Sequence, residues 1–169
     1  MLATSPALTA MTSLRDLRDA VADFHAAYAA ELDRGDVEKW PAFFTEDATY
    51  RVIARDNHEA GMPLCLMYCN GMGMLKDRAY AIKHTEMYAP RYVLHSVSLM
   101  RVLAFDGTHA TAEANFLIHE TLVDEPTKLL MAGRYNDRFR LMPDGTLRLA
   151  SRNCVFDSVL VSNCIVFPV

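Results

Sequence analysis

The chain has 169 residues with a formal net charge of −4, and 51% of its residues are hydrophobic. That composition suits a globular protein with a buried core, while the acidic balance excludes nucleic acid and an anionic membrane as main partners, because both carry negative charge. No apolar run approaches the roughly 20 residues of a transmembrane helix, and the first ten residues lack the features of a secretory signal, so we expect a cytoplasmic location.

Two helices are predicted near the start of the chain. Apolar residues recur at steps of three and four over residues 13–34, which predicts an amphipathic helix that Ser13 caps and Gly35 ends. A second, short helix is predicted from Asp36 to Phe44.

A strand, a polar loop and a further helix follow. Residues 48–54 predict a strand, residues 55–61 a loop and residues 64–68 a second short strand. Residues 74–88 return to helical spacing, and Pro90 marks the end of that helix.

The second half of the chain predicts one strand after another, at residues 92–105, 108–122, 128–141 and 146–156, followed by an apolar, extended tail. Asp-Gly and Pro-Asp-Gly sequences between them are typical of tight turns. Helices followed by an antiparallel meander indicate the α+β class, with the helices covering one face of a curved sheet. We expect one domain over residues 13–169, with residues 1–12 as a flexible extension.

The sequence offers few ligands for a metal ion. A Rieske cluster requires two Cys and two His in close pairs, and no Cys here is followed by His at such a spacing. His58 and Glu59 are adjacent, and adjacent side chains rarely aim at one ion. Cys65 and Cys69 lack the second pair that a zinc site needs. We expect all four cysteines to be free thiols.

Asp137 is the residue most suited to acid–base chemistry. It alternates with Tyr135 and Phe139 along a predicted strand and therefore faces an apolar side. If His95 lines the same interior, the two side chains could share a pocket with Tyr50, where a carboxylate of raised pKa could act as a base. The alternative is that Asp137 is paired with an arginine and that His95 is hydrogen-bonded in the core.

Five arginines on two neighbouring strands form a second pattern: Arg134, Arg138, Arg140, Arg148 and Arg152. Their even spacing predicts that they share one side of the sheet. Arginine favours bidentate pairs with the carboxylates of a partner, so this side predicts a protein interface. The apolar tail, which includes Phe167, supports an interface because an exposed apolar end requires burial. Acids such as Glu113 could instead neutralise the arginines.

Several segments resemble the small, or β, subunits of bacterial aromatic-ring-hydroxylating (Rieske non-haem iron) oxygenases. They are residues 40–47 (WPAFFTED), 74–78 (MLKDR), 135–139 (YNDRF) and 144–149 (DGTLRL), and their order and spacing match over residues 13–169. Residues 56–66 (DNHEAGMPLCL) are similar to a stretch in small subunits that act on carboxylated aromatics, such as those of salicylate 5-hydroxylase and terephthalate dioxygenase.

The resemblance implies a cone-shaped α+β fold like that of nuclear transport factor 2 and ketosteroid isomerase, and a mainly structural role in an α3β3 hexamer. In that family the large α subunit holds the Rieske 2Fe–2S cluster, a mononuclear Fe(II) and the substrate pocket. A reductase, sometimes through a ferredoxin, supplies electrons from NADH. No cofactor is expected in this chain. The alternative is a stand-alone isomerase or dehydratase of the same fold that uses Asp137 and His95.

Overall fold

The structure is a computed structural model that describes residues 14–158, 160–161 and 165–169. The helices are α1 (Leu14–Asp33), a 3₁₀ helix (Val37–Phe43), α2 (Arg55–Glu59) and α3 (Gly71–His84). The predicted extension, the cap at Ser13 and Cys164 lie outside the described residues, and the division into an extension and one domain stays a prediction.

Six strands in the described part of the chain form one curved, unclosed sheet. They are β1 (Phe44–Ala54), β2 (Met67–Asn70), β3 (Arg91–Phe105), β4 (His109–Leu122), β5 (Lys128–Leu141) and β6 (Leu147–Phe156). Their order across the sheet is β2-β1-β6-β5-β4-β3. The predicted α+β class is confirmed, and β3 to β6 form the predicted antiparallel meander. The sheet as a whole is mixed, because β1 joins β6 in parallel.

Helix α1 covers the inner side of the sheet. Apart from Leu14, which is exposed, the apolar residues at these steps are buried: Leu17, Val21, Phe24, Tyr28 and Leu32. The helix packs on β3, on the 3₁₀ helix and on β6. The main core therefore lies between these helices and the inner faces of the strands, where β4 and β5 contribute every second residue.

The helices differ from prediction mainly where apolar periodicity is weak. Helix α2 occupies part of the predicted polar loop, and none of its residues is buried, so no apolar pattern marked it. Helix α3 starts three residues before the predicted position and ends four residues before the predicted end. No helix of the described residues has the length and hydropathy that crossing a bilayer requires.

A β-bulge in β6 decides which way its side chains point. Ala150 has no partner residue on β5, although its neighbours Leu149 and Ser151 each have one. Because an unpaired residue of this kind reverses the alternation of side chains beyond it, Arg148 and Arg152 point to opposite sides of the sheet.

Strands β5 and β6 leave no space for a side chain at Gly133. A Cβ atom at this position would lie 2.1 Å from the carbonyl oxygen of Val155 and 2.9 Å from the ring of Phe116. Any side chain there would push the two backbones apart, so the sheet requires glycine at this point.

Gly133→Ala is expected to lower the free energy of unfolding by about 1–3 kcal/mol, because overpacking at a backbone contact forces the strands to shift. Gly73→Ala is the matched control, since that glycine lies in α3 and a Cβ atom there would have no neighbouring atom within 4 Å. The free energy of unfolding of this control is expected to rise by about 0.5–1 kcal/mol, because alanine has a higher helix propensity than glycine. Urea unfolding measures both, and equal stability of the two variants would contradict the close approach.

Candidate functional site

A buried ion pair lies at the centre of the sheet's inner side. Asp137 on β5 and Arg152 on β6 are directly opposite one another across the two strands. Arg152 Nε donates to Asp137 Oδ1 at 2.9 Å and Arg152 Nη2 donates to Asp137 Oδ2 at 2.7 Å. Asp137 is 4% exposed and Arg152 is 0% exposed. This bidentate geometry neutralises the carboxylate, so Asp137 is paired with an arginine, as the alternative interpretation held.

Aromatic rings enclose the guanidinium group of Arg152. Its central carbon lies 4.2 Å from the ring centroid of Tyr28 and 4.1 Å from that of Tyr135. Cations over the faces of aromatic rings are stabilised when they are removed from water. Burial raises the pKa of Tyr28 and Tyr135, so both phenols stay neutral.

His25 on α1 completes this centre. Its Nδ1 accepts a hydrogen bond from Arg152 Nη2 at 3.2 Å, and its Nε2 lies 3.5 Å from Asp137 Oδ2. Burial and the charge of Arg152 lower the pKa of His25 to about 4, against the opposing effect of Asp137. His25 is therefore neutral at pH 7. His25 was not predicted from the sequence as a site residue, although it lies one turn after Val21 on the apolar face of α1.

His95 does not share a pocket with Asp137. On β4 the partner of His95 is Ile118 and the partner of Asp137 is Ala112. Ile118 and Ala112 are six positions apart along β4. At about 3.3 Å per residue, His95 and Asp137 therefore lie roughly 20 Å apart along the strand direction. The expected combination of Asp137 and His95 is therefore wrong, and it failed because strand register could not be read from the sequence.

His95 is paired with Asp33 at the end of α1 instead. Its Nδ1 lies 2.7 Å from Asp33 Oδ1, and the same oxygen accepts a hydrogen bond from the backbone N–H of His95 at 3.0 Å. Both residues line an open cleft of about 650 Å³ between α1 and β3. A carboxylate–imidazole pair can move a proton, so the acid–base alternative would rest here rather than on Asp137.

Tyr50 holds the tail of the chain inside the fold. Tyr50 on β1 lies opposite Arg152 where β1 pairs in parallel with β6. Burial raises the pKa of the Tyr50 hydroxyl. The Tyr50 hydroxyl donates to the main-chain oxygen of Val169 at 3.1 Å and accepts from the Val169 N–H at 2.7 Å. Val169 is 1% exposed. The cavity beside the tail has a volume of about 10 Å³, which suffices for one water molecule at most.

The metal-ligand candidates of the sequence do not converge. Among the described residues, no group of three or more His, Cys, Asp and Glu side chains is arranged to hold a metal ion. His58 Nε2 lies 3.3 Å from Asn136 Nδ2 on the outer side of the sheet. Cys65, Cys69 and Cys154 are free thiols.

Four of the five arginines share the outer side of the sheet, opposite α1. We call this set the arginine surface: Arg134, Arg138, Arg140 and Arg148. Arg140 Nη2 donates to Asp47 Oδ2 at 3.0 Å. The other three form no ion pair with a described residue. Three cationic groups on this surface are therefore available to a partner.

Two parts of the interface prediction need correction. Arg152 does not belong to the arginine surface, because the bulge at Ala150 turns it to the buried side. Glu113 does not neutralise that surface, since it pairs with Arg101 on β3. The ring of Phe167 packs edge-to-face on Tyr88 with a centroid distance of 5.5 Å, so the tail packs partly on its own chain.

The titration of His25 predicts a loss of stability in acid. The unfolded chain binds a proton at His25 near pH 6.5 and the folded chain only near pH 4, so protonation favours unfolding in this window. We expect the free energy of unfolding to fall by about 3 kcal/mol between pH 6.5 and pH 4 because of this group. His25→Gln keeps an acceptor for Arg152 and should remove most of that slope in urea unfolding. An unchanged slope would show that His25 is not the titrating group.

Comparison with known proteins identifies the family. Residues 14–153 match the SnoaL-like domain family. The chain is 33% identical over 148 residues to the β1 subunit of the terminal oxygenase component of terephthalate 1,2-dioxygenase from Comamonas sp., covering 88% of this chain and 96% of that one. It is 28% identical over 142 residues to the anthranilate 1,2-dioxygenase small subunit of Burkholderia cepacia, covering 84% and 88%.

A solved structure agrees with these relatives. It is a β subunit assigned to an aromatic-ring-hydroxylating dioxygenase of Novosphingobium aromaticivorans, with a TM-score of 0.84 and 35% sequence identity over 92% of this chain and 98% of that one. The resemblance predicted from the sequence is thereby confirmed. The chain has the SnoaL-like fold and belongs to the family of small, or β, subunits of aromatic-ring-hydroxylating dioxygenases.

Proposed function

We propose that this chain is a structural β subunit that stabilises the large, catalytic α subunits of a ring-hydroxylating oxygenase in an α3β3 hexamer. The observation that carries the proposal is the filled interior of the fold. Arg152 neutralises Asp137, and Val169 occupies the space beside Tyr50, so the space around Asp137 and Tyr50 leaves no room for an aromatic substrate.

We place the redox chemistry of the complex on other chains. The α subunit would hold the Rieske 2Fe–2S cluster, whose two Cys and two His ligands this sequence does not supply at the required spacing, and the mononuclear Fe(II). A reductase, directly or through a ferredoxin, would deliver electrons from NADH to that subunit. We place the assembly in the cytoplasm.

A carboxylated aromatic is the substrate class that we propose for the complex. The two curated relatives described above are subunits of enzymes named for terephthalate and anthranilate, both of which are aromatic carboxylates. The substrate would bind to the α subunit, so this chain would affect substrate specificity only indirectly.

The arginine surface is the contact that we propose for the α subunit. Arg134, Arg138 and Arg148 form no ion pair within the described chain, and planar guanidinium groups bind partner carboxylates in bidentate geometry. Two turn acids interact electrostatically with this surface, Asp106 with Arg138 and Asp144 with Arg148. Both acids also accept hydrogen bonds from backbone N–H groups of their own turns. A partner that supplies carboxylates at the arginine surface would pair with Arg134, Arg138 and Arg148.

Co-expression with the neighbouring genes tests the subunit role. A tagged form of this chain is expected to purify with a larger polypeptide as a red-brown complex with iron–sulfur absorbance, while the chain alone is colourless. A colourless, self-contained oligomer would contradict the proposal. It would favour the stand-alone alternative, with Asp33 and His95 in the cleft beside α1 as the pair to substitute first.

Charge reversal tests the contact surface. The double variant Arg134→Glu, Arg138→Glu is expected to weaken capture of the large subunit at least tenfold, because like charges then face the partner. Arg18→Glu on the exposed side of α1 is the control and should leave capture unchanged. Equal capture by both variants, with normal unfolding curves, would place the interface elsewhere.

A further inference from the structure

The open cleft between α1 and the edge strand β3 has the size and the walls of a small-molecule site. Its volume is about 650 Å³, and ligand pockets in proteins are typically roughly 300–1,000 Å³ and mostly apolar. Four alanines of α1 form one wall: Ala22, Ala26, Ala29 and Ala30. Val97, Leu99 and Met100 of β3 form the other. The described residues that line the cleft include neither Asp137 nor Tyr50, so it is separate from the filled space around those two side chains.

The charge in this cleft is negative. Asp33 is the only Asp, Glu, Lys or Arg among the described residues that line it. Its carboxylate lies in the last turn of α1, which contains no basic residue, and the C-terminus of a helix itself carries partial negative charge. The next residue, Arg34, pairs with Glu31 instead. A cation at this end of the cleft would therefore be stabilised by both the carboxylate and the helix.

The polar groups at the same end are acceptors. His95 Nδ1 lies 2.7 Å from Asp33 Oδ1, and with Nδ1 as the donor, Nε2 of the neutral ring is an acceptor. The His95 side chain is 1% exposed, and its Nε2 has no hydrogen-bond partner among the described residues. Both hydrogen bonds that Asp33 accepts from His95 end at Oδ1. The Asp33 side chain is 21% exposed, so Oδ2 can accept from a group in the cleft.

We propose that this cleft binds a primary amine with a compact apolar body. An ammonium group suits the site because it carries positive charge, three donors and no acceptor. It would donate to Asp33 Oδ2 and to His95 Nε2, which would remove the cost of a buried acceptor without a partner. The apolar body would pack between Ala26 on α1 and Met100 on β3. This site does not involve the arginine surface and does not depend on assembly with a large subunit.

Two matched compounds test the site by isothermal titration calorimetry of the full chain. Phenethylamine is expected to bind at least about tenfold more tightly than phenethyl alcohol, because hydrogen bonds between charged groups are roughly twice as strong as neutral ones. The alcohol has the same apolar body and can donate a hydrogen bond, but it carries no charge. Equal affinities, or no binding of the amine, would overturn the proposal.

Two neighbouring alanines of α1 provide a matched pair of variants. Ala26 and Ala27 are both exposed, and of the two only Ala26 lines the cleft. Ala26→Leu fills the space for the apolar body and is expected to weaken binding of phenethylamine at least about tenfold, because overlapping atoms exclude the ligand. Ala27→Leu adds the same side chain outside the cleft and should leave the affinity unchanged. Equal affinities of the two variants would place the ligand elsewhere and overturn the proposal.

Asp33→Asn tests the role of the charge. The asparagine keeps an oxygen that His95 can donate to but removes the negative charge, so the affinities of phenethylamine and phenethyl alcohol should converge to within about threefold. An amine preference that survives this substitution would overturn the proposal. If the variant does not fold, salt decides the matter in the unaltered chain. Raising sodium chloride from about 50 mM to about 500 mM should weaken binding of the amine and not of the alcohol, and an equal response of both compounds would contradict the proposal.

Discussion

The buried charge of Arg152 is the constraint on which the rest of the interior depends. A cation removed from water is tolerated only with excellent pairing and further hydrogen bonds. Asp137 supplies two of those bonds, His25 accepts a third, and the rings of Tyr28 and Tyr135 cover both faces. Because these residues come from α1, β5 and β6, one guanidinium group fixes the position of the helix over the sheet.

That arrangement separates this chain from an enzyme that uses the inside of the same fold. A carboxylate engaged by a bidentate arginine is a poor base, and the tail at Val169 fills the adjoining space. A shared fold does not imply a shared activity, because function lies in the site that each chain builds on it. Here the buried pair stabilises the interior, and the outer arginines are the surface that we propose for recognition by a large subunit.

The sequence predicted those features that depend on local periodicity. Helix α1 and strands β3 to β6 were found within two residues at their ends, because their apolar residues repeat at regular steps. Features that depend on register were not found. Ala150 resembles any other strand residue, yet as a bulge it turns Arg152 inward. The distance between His95 and Asp137 is likewise set by pairing on β4, and the parallel contact of β1 with β6 has no local signal.

The most direct test of this account is a double-mutant cycle on the buried pair, measured by urea unfolding of the purified chain. Asp137→Leu and Arg152→Met are each expected to cost roughly 3–5 kcal/mol, because each leaves one charge unpaired in the interior. The double variant should lose less than the two costs together, by a coupling of about 2–3 kcal/mol. Small and additive losses would show that the pair does not organise the interior, and would contradict the account.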